Sequence, residues 1–70
     1  MKILVNGEVK EFFPQALSVL DILRTCKVEA PEMVSVQVNG SFVNKSDYDT
    51  VLLRDSDEID FLYFMGGGNR

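Results

Sequence analysis

Two Asn-Gly pairs constrain the fold of this chain more than any other feature of its sequence. Asn6-Gly7 and Asn39-Gly40 each follow a run in which apolar side chains alternate with others, the period of a half-buried strand. Asn-Gly after such a run favours a type I′ turn, because both central residues of that turn need positive φ. The sequence therefore predicts two β-hairpins. Their strands are residues 1–5 with 8–13 and residues 34–38 with 41–43.

The second strand ends in two adjacent phenylalanines. Pro14 ends this strand because proline has no backbone N–H to donate. Alternation alone does not decide whether Phe12 or Phe13 points towards the core, so both orientations stay open. Residues 14–17 are expected to form a connection.

One helical stripe separates the two hairpins. Its apolar members recur at helical spacing and are Val19, Ile22, Leu23 and Cys26. Ser18 is a favourable N-cap, and Asp21 stands three residues later, which approximates a capping box. The stripe predicts a helix near residues 19–26, which is too short to persist alone and must pack on a sheet.

The remaining apolar segments complete a single sheet. Residues 51–53 suit one brief strand, residues 55–57 a turn, and residues 59–64 alternate as a final strand. The order β-β-α-β-β-β leaves one helix to cover one sheet. It predicts an α+β β-grasp, a mixed sheet of four to five strands packed on one main helix. We expect the first and last strands to be central and parallel.

The last strand is predicted to present two different faces. Ile59, Phe61 and Tyr63 share one face, and Asp60, Leu62 and Phe64 share the other. The charge of Asp60 indicates that the helix does not cover the second face. Leu62, Phe64 and Met65 would then form an exposed apolar patch, which often marks a docking site for a partner. Ordinary exposed apolar residues without a partner are the alternative.

The chain ends in an unusual way, with three glycines after the last strand. Neither a second module nor a returning strand follows Gly66, Gly67 and Gly68; only Asn69 and Arg70 do. A tail without side chains can enter a narrow tunnel that any Cβ would block. A frayed terminus is the other interpretation. We therefore expect a β-grasp domain, residues 1–65, and a flexible glycine-rich tail, residues 66–70.

Composition excludes several classes of function. The 70 residues are expected to form one domain, and the net charge of −4 argues against nucleic acid and suits a partner with a basic docking surface. The chain has no histidine, which removes Ser-His and Cys-His pairs and the commonest zinc ligands. We therefore expect neither an enzyme nor a metal site. No apolar run is long enough to span a membrane, and Met1 leads directly into strand-like sequence, so a cytoplasmic protein is expected.

Two further features are expected to be structural. Cys26 lies on the apolar stripe, with Lys27 as the only cation that the sequence places beside it, and predicts a buried, inert thiol. Five acidic residues cluster in the second half of the chain without the spacing of a calcium loop, and are expected to form solvated turns. They are Asp47, Asp49, Asp55, Asp57 and Glu58.

Taken together, the motifs resemble the ThiS-type sulfur-carrier proteins of the ubiquitin-like β-grasp superfamily (ThiS/MoaD-like). The matching stretches cover essentially the whole chain. They are Val5-Asn6-Gly7-Glu8, Ser18-Val19-Leu20-Asp21-Ile22-Leu23, Val36-Gln37-Val38-Asn39-Gly40, Asp55-Ser56-Asp57-Glu58-Ile59 and Phe64-Met65-Gly66-Gly67-Gly68. Two departures stand out: Ser56 replaces the usual glycine of that turn, and Asn69-Arg70 follow the diglycine on which most members end.

The resemblance implies a chemistry performed by other proteins on this one. An E1-like adenylyltransferase (ThiF-like) would use ATP to join the carboxylate of Gly68 to AMP, and sulfur would then displace AMP to leave a thiocarboxylate. Gly66 and Gly67 would thread into that enzyme, while Leu62, Phe64 and Met65 would dock against it. The acceptor of the sulfur would be an enzyme such as thiazole synthase (ThiG-like) in thiamine (thiazole) or related biosynthesis. The carrier would bind no cofactor of its own.

The two residues after Gly68 add a step to this expectation. An internal Gly68 has no free carboxylate, so a processing metallopeptidase would first have to remove Asn69-Arg70. The alternative function is a non-thiolated ubiquitin-like β-grasp binding module. A small enzyme ranks third, because the chain lacks an acid-base constellation.

Overall fold

The computed structural model describes the backbone of residues 1–63 and the side chains of residues 1–62. Apart from one additional two-residue strand before the helix, its elements follow the predicted order. They are β1 (Lys2–Val5), β2 (Glu8–Glu11), β3 (Leu17–Ser18), α1 (Val19–Thr25), β4 (Val34–Val38), β5 (Ser41–Val43), β6 (Leu52–Leu53) and β7 (Glu58–Tyr63), with 3-10 turns at Pro31–Met33 and Lys45–Asp47. The predicted boundary between residues 1–65 and 66–70 lies outside the described residues.

Five strands form one mixed sheet in the order β2-β1-β7-β4-β5. β1 and β7 run parallel, with Val5 paired to Ile59, and the other neighbours in this sheet are antiparallel. One helix, α1, is present in the described part of the chain. The predicted α+β β-grasp fold and the parallel pairing of the first and last strands are therefore confirmed. No helix within residues 1–63 is long and apolar enough to cross a bilayer.

Both hairpins turn at their Asn-Gly pairs as predicted. Asn6 and Gly7 have φ angles of 51° and 86°, and Asn39 and Gly40 have φ angles of 52° and 87°. Positive φ at both central positions is the requirement of a type I′ turn. These two-residue turns fix the register of each hairpin, with Val5 opposite Glu8 and Val38 opposite Ser41.

The helix begins with the expected capping box. The Ser18 hydroxyl accepts a hydrogen bond from the Asp21 amide at 3.0 Å, and the Asp21 carboxylate accepts one from the Ser18 amide at 3.4 Å. Two of the amides at the helix start, which have no partner within the helix, are satisfied in this way. The helix ends at Thr25, and Cys26 forms its C-cap, so the predicted span is confirmed within one residue.

The core lies between α1 and one face of the sheet. Its buried side chains come from β1, α1, β4, β6, β7 and the connecting segments, and are Ile3, Val5, Phe12, Val19, Ile22, Leu23, Val28, Val34, Val36, Tyr48, Leu53, Ile59 and Phe61. Phe12 is 9% exposed and Phe13 is 101% exposed, which settles the orientation that alternation left open.

Two details differ from the sequence prediction. Residues 14–17 were expected to be a connection, but Leu17 pairs with Leu53 in a separate two-stranded sheet of β3 and β6. A two-residue strand is too short to show a period, which explains why the pattern missed it. β2 ends at Glu11 rather than residue 13, although the Phe12 amide still donates to the Met1 carbonyl at 2.8 Å.

Candidate functional site

The face of the sheet turned away from α1 carries the candidate docking residue Leu62. Ile59 and Phe61 are buried under the helix, whereas Leu62 is 48% exposed and Asp60 is half-buried on the other face. The predicted alternation of the last strand is thus confirmed through Leu62. We call this uncovered side of the five-stranded sheet the open face.

Strand register brings further apolar side chains to the open face. Leu62 is opposite Ser35, and Phe42 is opposite Gln37, which is itself opposite Asp60. Towards the β2 edge of the sheet, Val9 is opposite Leu4, and Leu4 is opposite Glu58, which points the same way as Asp60 and Leu62 on β7. Because directly opposed residues project from the same face, Leu4, Val9, Phe42 and Leu62 all lie on the open face.

Sequence reasoning missed Val9 and Phe42 as candidate docking residues, although they are 66% and 69% exposed. The signal was present in the Asn-Gly turns. A two-residue turn places Leu4 opposite Val9 and Gln37 opposite Phe42, so both Val9 and Phe42 could have been assigned to the face that Leu62 occupies.

The open face is also acidic near its centre. Glu58 pairs in register with Leu4, and Asp60 pairs with Gln37. Apolar side chains beside carboxylates suit a partner whose surface combines apolar pockets with basic residues. This arrangement agrees with the chain's net charge of −4.

The acidic turn before β7 is structural. The Asp55 carboxylate accepts a hydrogen bond from the Lys2 amide at 2.7 Å, and this bond lowers the pKa of Asp55. Asp57 accepts from the Arg54 amide at 2.9 Å and from the Asn39 side chain at 3.2 Å. Among the described residues, no group of three His, Cys, Asp or Glu side chains could hold a metal ion. These carboxylates therefore shape the turn.

Ser56, the departure from the family pattern, sits in the left-handed region of backbone conformation. Its φ angle is 75°, which a glycine would adopt without steric cost. Its hydroxyl donates to the Asp55 carboxylate at 3.3 Å. Ser56 therefore adopts the backbone conformation that glycine has in such a turn.

The two hairpin asparagines hold β7, a role that sequence reasoning did not assign. The Asn6 side-chain oxygen accepts from the Phe61 amide at 2.8 Å, and the Asn39 side-chain oxygen accepts from the Glu58 amide at 3.0 Å. The sequence explained both residues by their turns alone. These partners are far away in the chain, and only the fold brings them together.

Cys26 corrects one expectation in part. The thiol is half-buried rather than buried. Burial raises the pKa of Cys26, and the charge of Lys10 on β2, rather than that of Lys27, opposes this effect to a smaller extent. A raised pKa favours the protonated thiol, which is the less nucleophilic form.

The remaining predicted site residues lie outside the described part of the chain. They are Phe64, Met65, Gly66, Gly67 and Gly68. Their roles in docking, threading and sulfur transfer stay predictions from the sequence.

Comparison with known proteins identifies the family. The ThiS family model matches residues 3–68. The crystal structure of a thiamine biosynthesis protein (ThiS) from Geobacter metallireducens superposes with a TM-score of 0.86 and 36% identity, over 97% of this chain and 100% of that chain. An NMR solution structure of a thiamine biosynthesis protein from the same organism gives a TM-score of 0.82 and 35% identity, over 100% of this chain and 91% of that chain.

Two longer proteins also contain a related segment. A thiazole synthase from Magnetococcus marinus is 37% identical over 68 residues, which is 97% of this chain but 20% of that protein. A thiazole synthase from Paramagnetospirillum magneticum is 33% identical over 69 residues, 99% of this chain and 21% of that protein. The chain thus spans about a fifth of the length of these curated relatives.

A family model that covers nearly the whole chain, and a fold shared with a solved member, lead to one assignment. The chain belongs to the ThiS family and has its ubiquitin-like β-grasp fold.

Proposed function

We propose that this protein carries sulfur for thiamine biosynthesis as a thiocarboxylate on Gly68. The observation that supports this most is the extent of the family match, which ends at residue 68. The family pattern thus stops at the glycine whose carboxylate the chemistry needs, and leaves Asn69 and Arg70 beyond it.

The chemistry needs little from the carrier except an accessible carboxylate. An E1-like adenylyltransferase (ThiF-like) transfers AMP from ATP to the Gly68 carboxylate and releases pyrophosphate. A sulfur nucleophile then attacks the acyl carbon, and AMP leaves as the acyl–sulfur bond forms. The carrier's body supplies binding energy that holds the reactive end in place.

Removal of Asn69-Arg70 precedes adenylation in this proposal. With these residues attached, the carboxyl group of Gly68 is part of a peptide bond and cannot attack ATP. A metallopeptidase that hydrolyses the Gly68–Asn69 bond would create the carboxylate. The full-length chain is then an inactive precursor.

Thiazole synthase (ThiG-like) is the proposed acceptor. Two proteins of that name contain a segment related to almost all of this chain within a much longer polypeptide. Joining two modules in one chain raises their effective concentration, which favours modules that work together. This supports a sulfur transfer from the present chain to such an enzyme.

The open face is the proposed docking surface for the activating enzyme. Leu62, Phe42 and Val9 offer exposed apolar anchors, and Glu58 and Asp60 supply the charge that would attract a basic surface. Phe64 and Met65 would extend this surface towards the tail.

Adenylation of defined C-termini tests the proposal. The full chain, a chain ending at Gly68 and a chain ending at Gly67 are each incubated with a ThiF-like enzyme, ATP and labelled pyrophosphate. We expect exchange of pyrophosphate into ATP with the Gly68 chain alone. With a sulfur donor added, mass spectrometry should show replacement of one terminal oxygen by sulfur.

Two outcomes would contradict the proposal. Equal exchange by the full chain would exclude the processing step, because no carboxylate would be needed at Gly68. Absence of exchange with every chain would favour the alternative, a β-grasp binding module that is never thiolated.

A further inference from the structure

The hydrogen bonds between β1 and β7 continue beyond the last residue of β1. β1 ends at Val5, whose partner is Ile59, whereas β7 continues to Tyr63. The Asn6 amide still donates to the Ile59 carbonyl at 3.0 Å. At Asn6 the φ angle becomes 51° and the backbone turns away from β7. The backbone of β1 therefore cannot supply the next acceptor.

The Asn6 side chain supplies that acceptor. Its Oδ1 atom accepts a hydrogen bond from the Phe61 amide at 2.8 Å, in a partly buried position. In a regular parallel ladder this amide would bond to a carbonyl of the neighbouring strand. The carboxamide thus extends the ladder by two residues along β7, to the point where the chain approaches its C-terminal segment.

We propose that Asn6 is a positioning residue for the C-terminal segment, fixing through Phe61 the direction in which the chain leaves the sheet towards Gly68. This inference rests on the proposed carrier function. Beyond Ile59, β7 is held on one side by β4, whose Val36 pairs with Phe61, and on the other by Asn6. Loss of the carboxamide leaves β4 alone to orient the segment.

The second hairpin provides a matched control. Asn39 occupies the same turn position, with a φ angle of 52°, and its side-chain oxygen accepts from the Glu58 amide at 3.0 Å. Asn39 holds the start of β7, whereas Asn6 holds β7 near its end. Removing either carboxamide costs a hydrogen bond to the same strand, and at Asn39 it also costs the bond to the Asp57 carboxylate, but only Asn6 is placed to orient the C-terminal segment.

Three variants of the chain ending at Gly68 test the role. Asn6→Gly keeps the positive φ and removes the acceptor, Asn6→Asp keeps both, and Asn39→Gly removes the acceptor at the other end. The rate of pyrophosphate exchange with a ThiF-like enzyme gives kcat and KM for each. Amide hydrogen exchange followed by NMR reports the protection of Phe61.

For Asn6→Gly we expect kcat to fall about three- to tenfold with KM changed less than about twofold, because misplacement of the reactive end affects the bound complex. Protection of the Phe61 amide should fall by a similar factor. Asn6→Asp should restore both, and Asn39→Gly should leave kcat unchanged.

The proposal is overturned if Asn6→Gly and Asn39→Gly lower kcat equally, which would indicate a general loss of order in β7. It is also overturned if Asn6→Gly raises KM alone, which would assign Asn6 to docking. Inactivity of the unsubstituted Gly68 chain would instead reject the proposed carrier function itself, and the Phe61 exchange data would then report a purely structural bond.

Discussion

The hydroxyl group of Tyr48 donates a hydrogen bond of 2.7 Å to the carbonyl oxygen of Val34. Both residues are buried, with 5% and 1% of their surfaces exposed. The bond joins the segment after the Lys45–Asp47 turn to the start of β4, in the centre of the fold. A polar atom buried there needs a partner, since leaving it unpaired costs free energy.

Tyr48→Phe should therefore lower the free energy of unfolding by about 1 kcal/mol. The substitution removes the hydroxyl donor, so the buried Val34 carbonyl loses this hydrogen bond. Urea unfolding measures the change. Thr50→Val is the control, since the Thr50 hydroxyl donates to the Asp47 carbonyl at 3.1 Å in an exposed position, where water replaces it. Equal losses in the two variants would contradict this role for the buried bond.

Asp55 should make stability depend on pH in the acid range. The hydrogen bond from the Lys2 amide lowers the pKa of Asp55 in the folded protein, so the unfolded chain binds the proton more tightly. The stabilisation is then present above the unfolded pKa of about 3.9 and is lost as pH falls through the lower folded value.

The comparison of wild type with Asp55→Asn isolates this effect, because the other carboxylates titrate in both proteins. We expect wild type to have the higher free energy of unfolding near neutral pH and the difference to shrink below about pH 3.9. A difference that stays constant, or grows, down to pH 2 would show that Asp55 does not titrate as the hydrogen bond requires.

Ser56→Gly should stabilise the protein by up to about 1 kcal/mol. The φ angle of 75° carries a steric cost for serine that glycine avoids, and this gain should exceed the backbone entropy that glycine adds to the unfolded chain together with the loss of the weak bond to Asp55. Ser46→Gly, in the Lys45–Asp47 turn, is the control and should destabilise through backbone entropy alone. Thermal unfolding of both variants measures the two effects. A lower melting temperature for Ser56→Gly than for the wild type would contradict backbone strain at Ser56.

The parts of the fold that sequence predicted are those with local causes. The Asn-Gly turns, the Ser18 capping box and the alternation of β7 each depend on residues close in the chain, so each could be assigned. Once the turns are known, hairpin register follows from their length.

The parts that sequence missed depend on contacts between distant residues. The pairing of Leu17 with Leu53 is only two residues long and leaves no periodic pattern. The bond between Asn6 and Phe61 joins residues that are 55 positions apart. Each asparagine was already explained by its turn, so nothing in the single sequence pointed to a second role.

Leu62→Arg should weaken the complex with the activating enzyme and leave the fold intact. Leu62 is 48% exposed on the open face, so a charge there disturbs docking but not the core. Leu52→Arg is a matched control, because Leu52 is 49% exposed but lies on the separate sheet of β3 and β6. Titration calorimetry should show an affinity loss of at least about tenfold for Leu62→Arg alone.

Equal binding by the two variants would remove the open face from the docking surface. Unfolding of Leu62→Arg, seen by circular dichroism, would show that the side chain contributes to the core after all. Phe42→Arg extends the test across the sheet, since Phe42 shares the open face and is 69% exposed.

Gly67→Ala should impair activation without impairing folding. Gly67 lies outside the described residues, so this prediction rests on the sequence: a tail of glycines suits a close-fitting channel in which a methyl group would obstruct passage.

Gly7→Ala is the control and should impair folding without impairing activation. Gly7 has a φ angle of 86° with open space around an added Cβ, so alanine there strains the turn and lowers the melting temperature while the tail stays unchanged. Both variants, made in the chain ending at Gly68, are compared by thermal unfolding and by pyrophosphate exchange per folded molecule. Exchange by Gly67→Ala at the wild-type rate would mean that the activating enzyme accepts a side chain beside the reactive glycine, and that the glycines serve some purpose other than passage through a narrow channel.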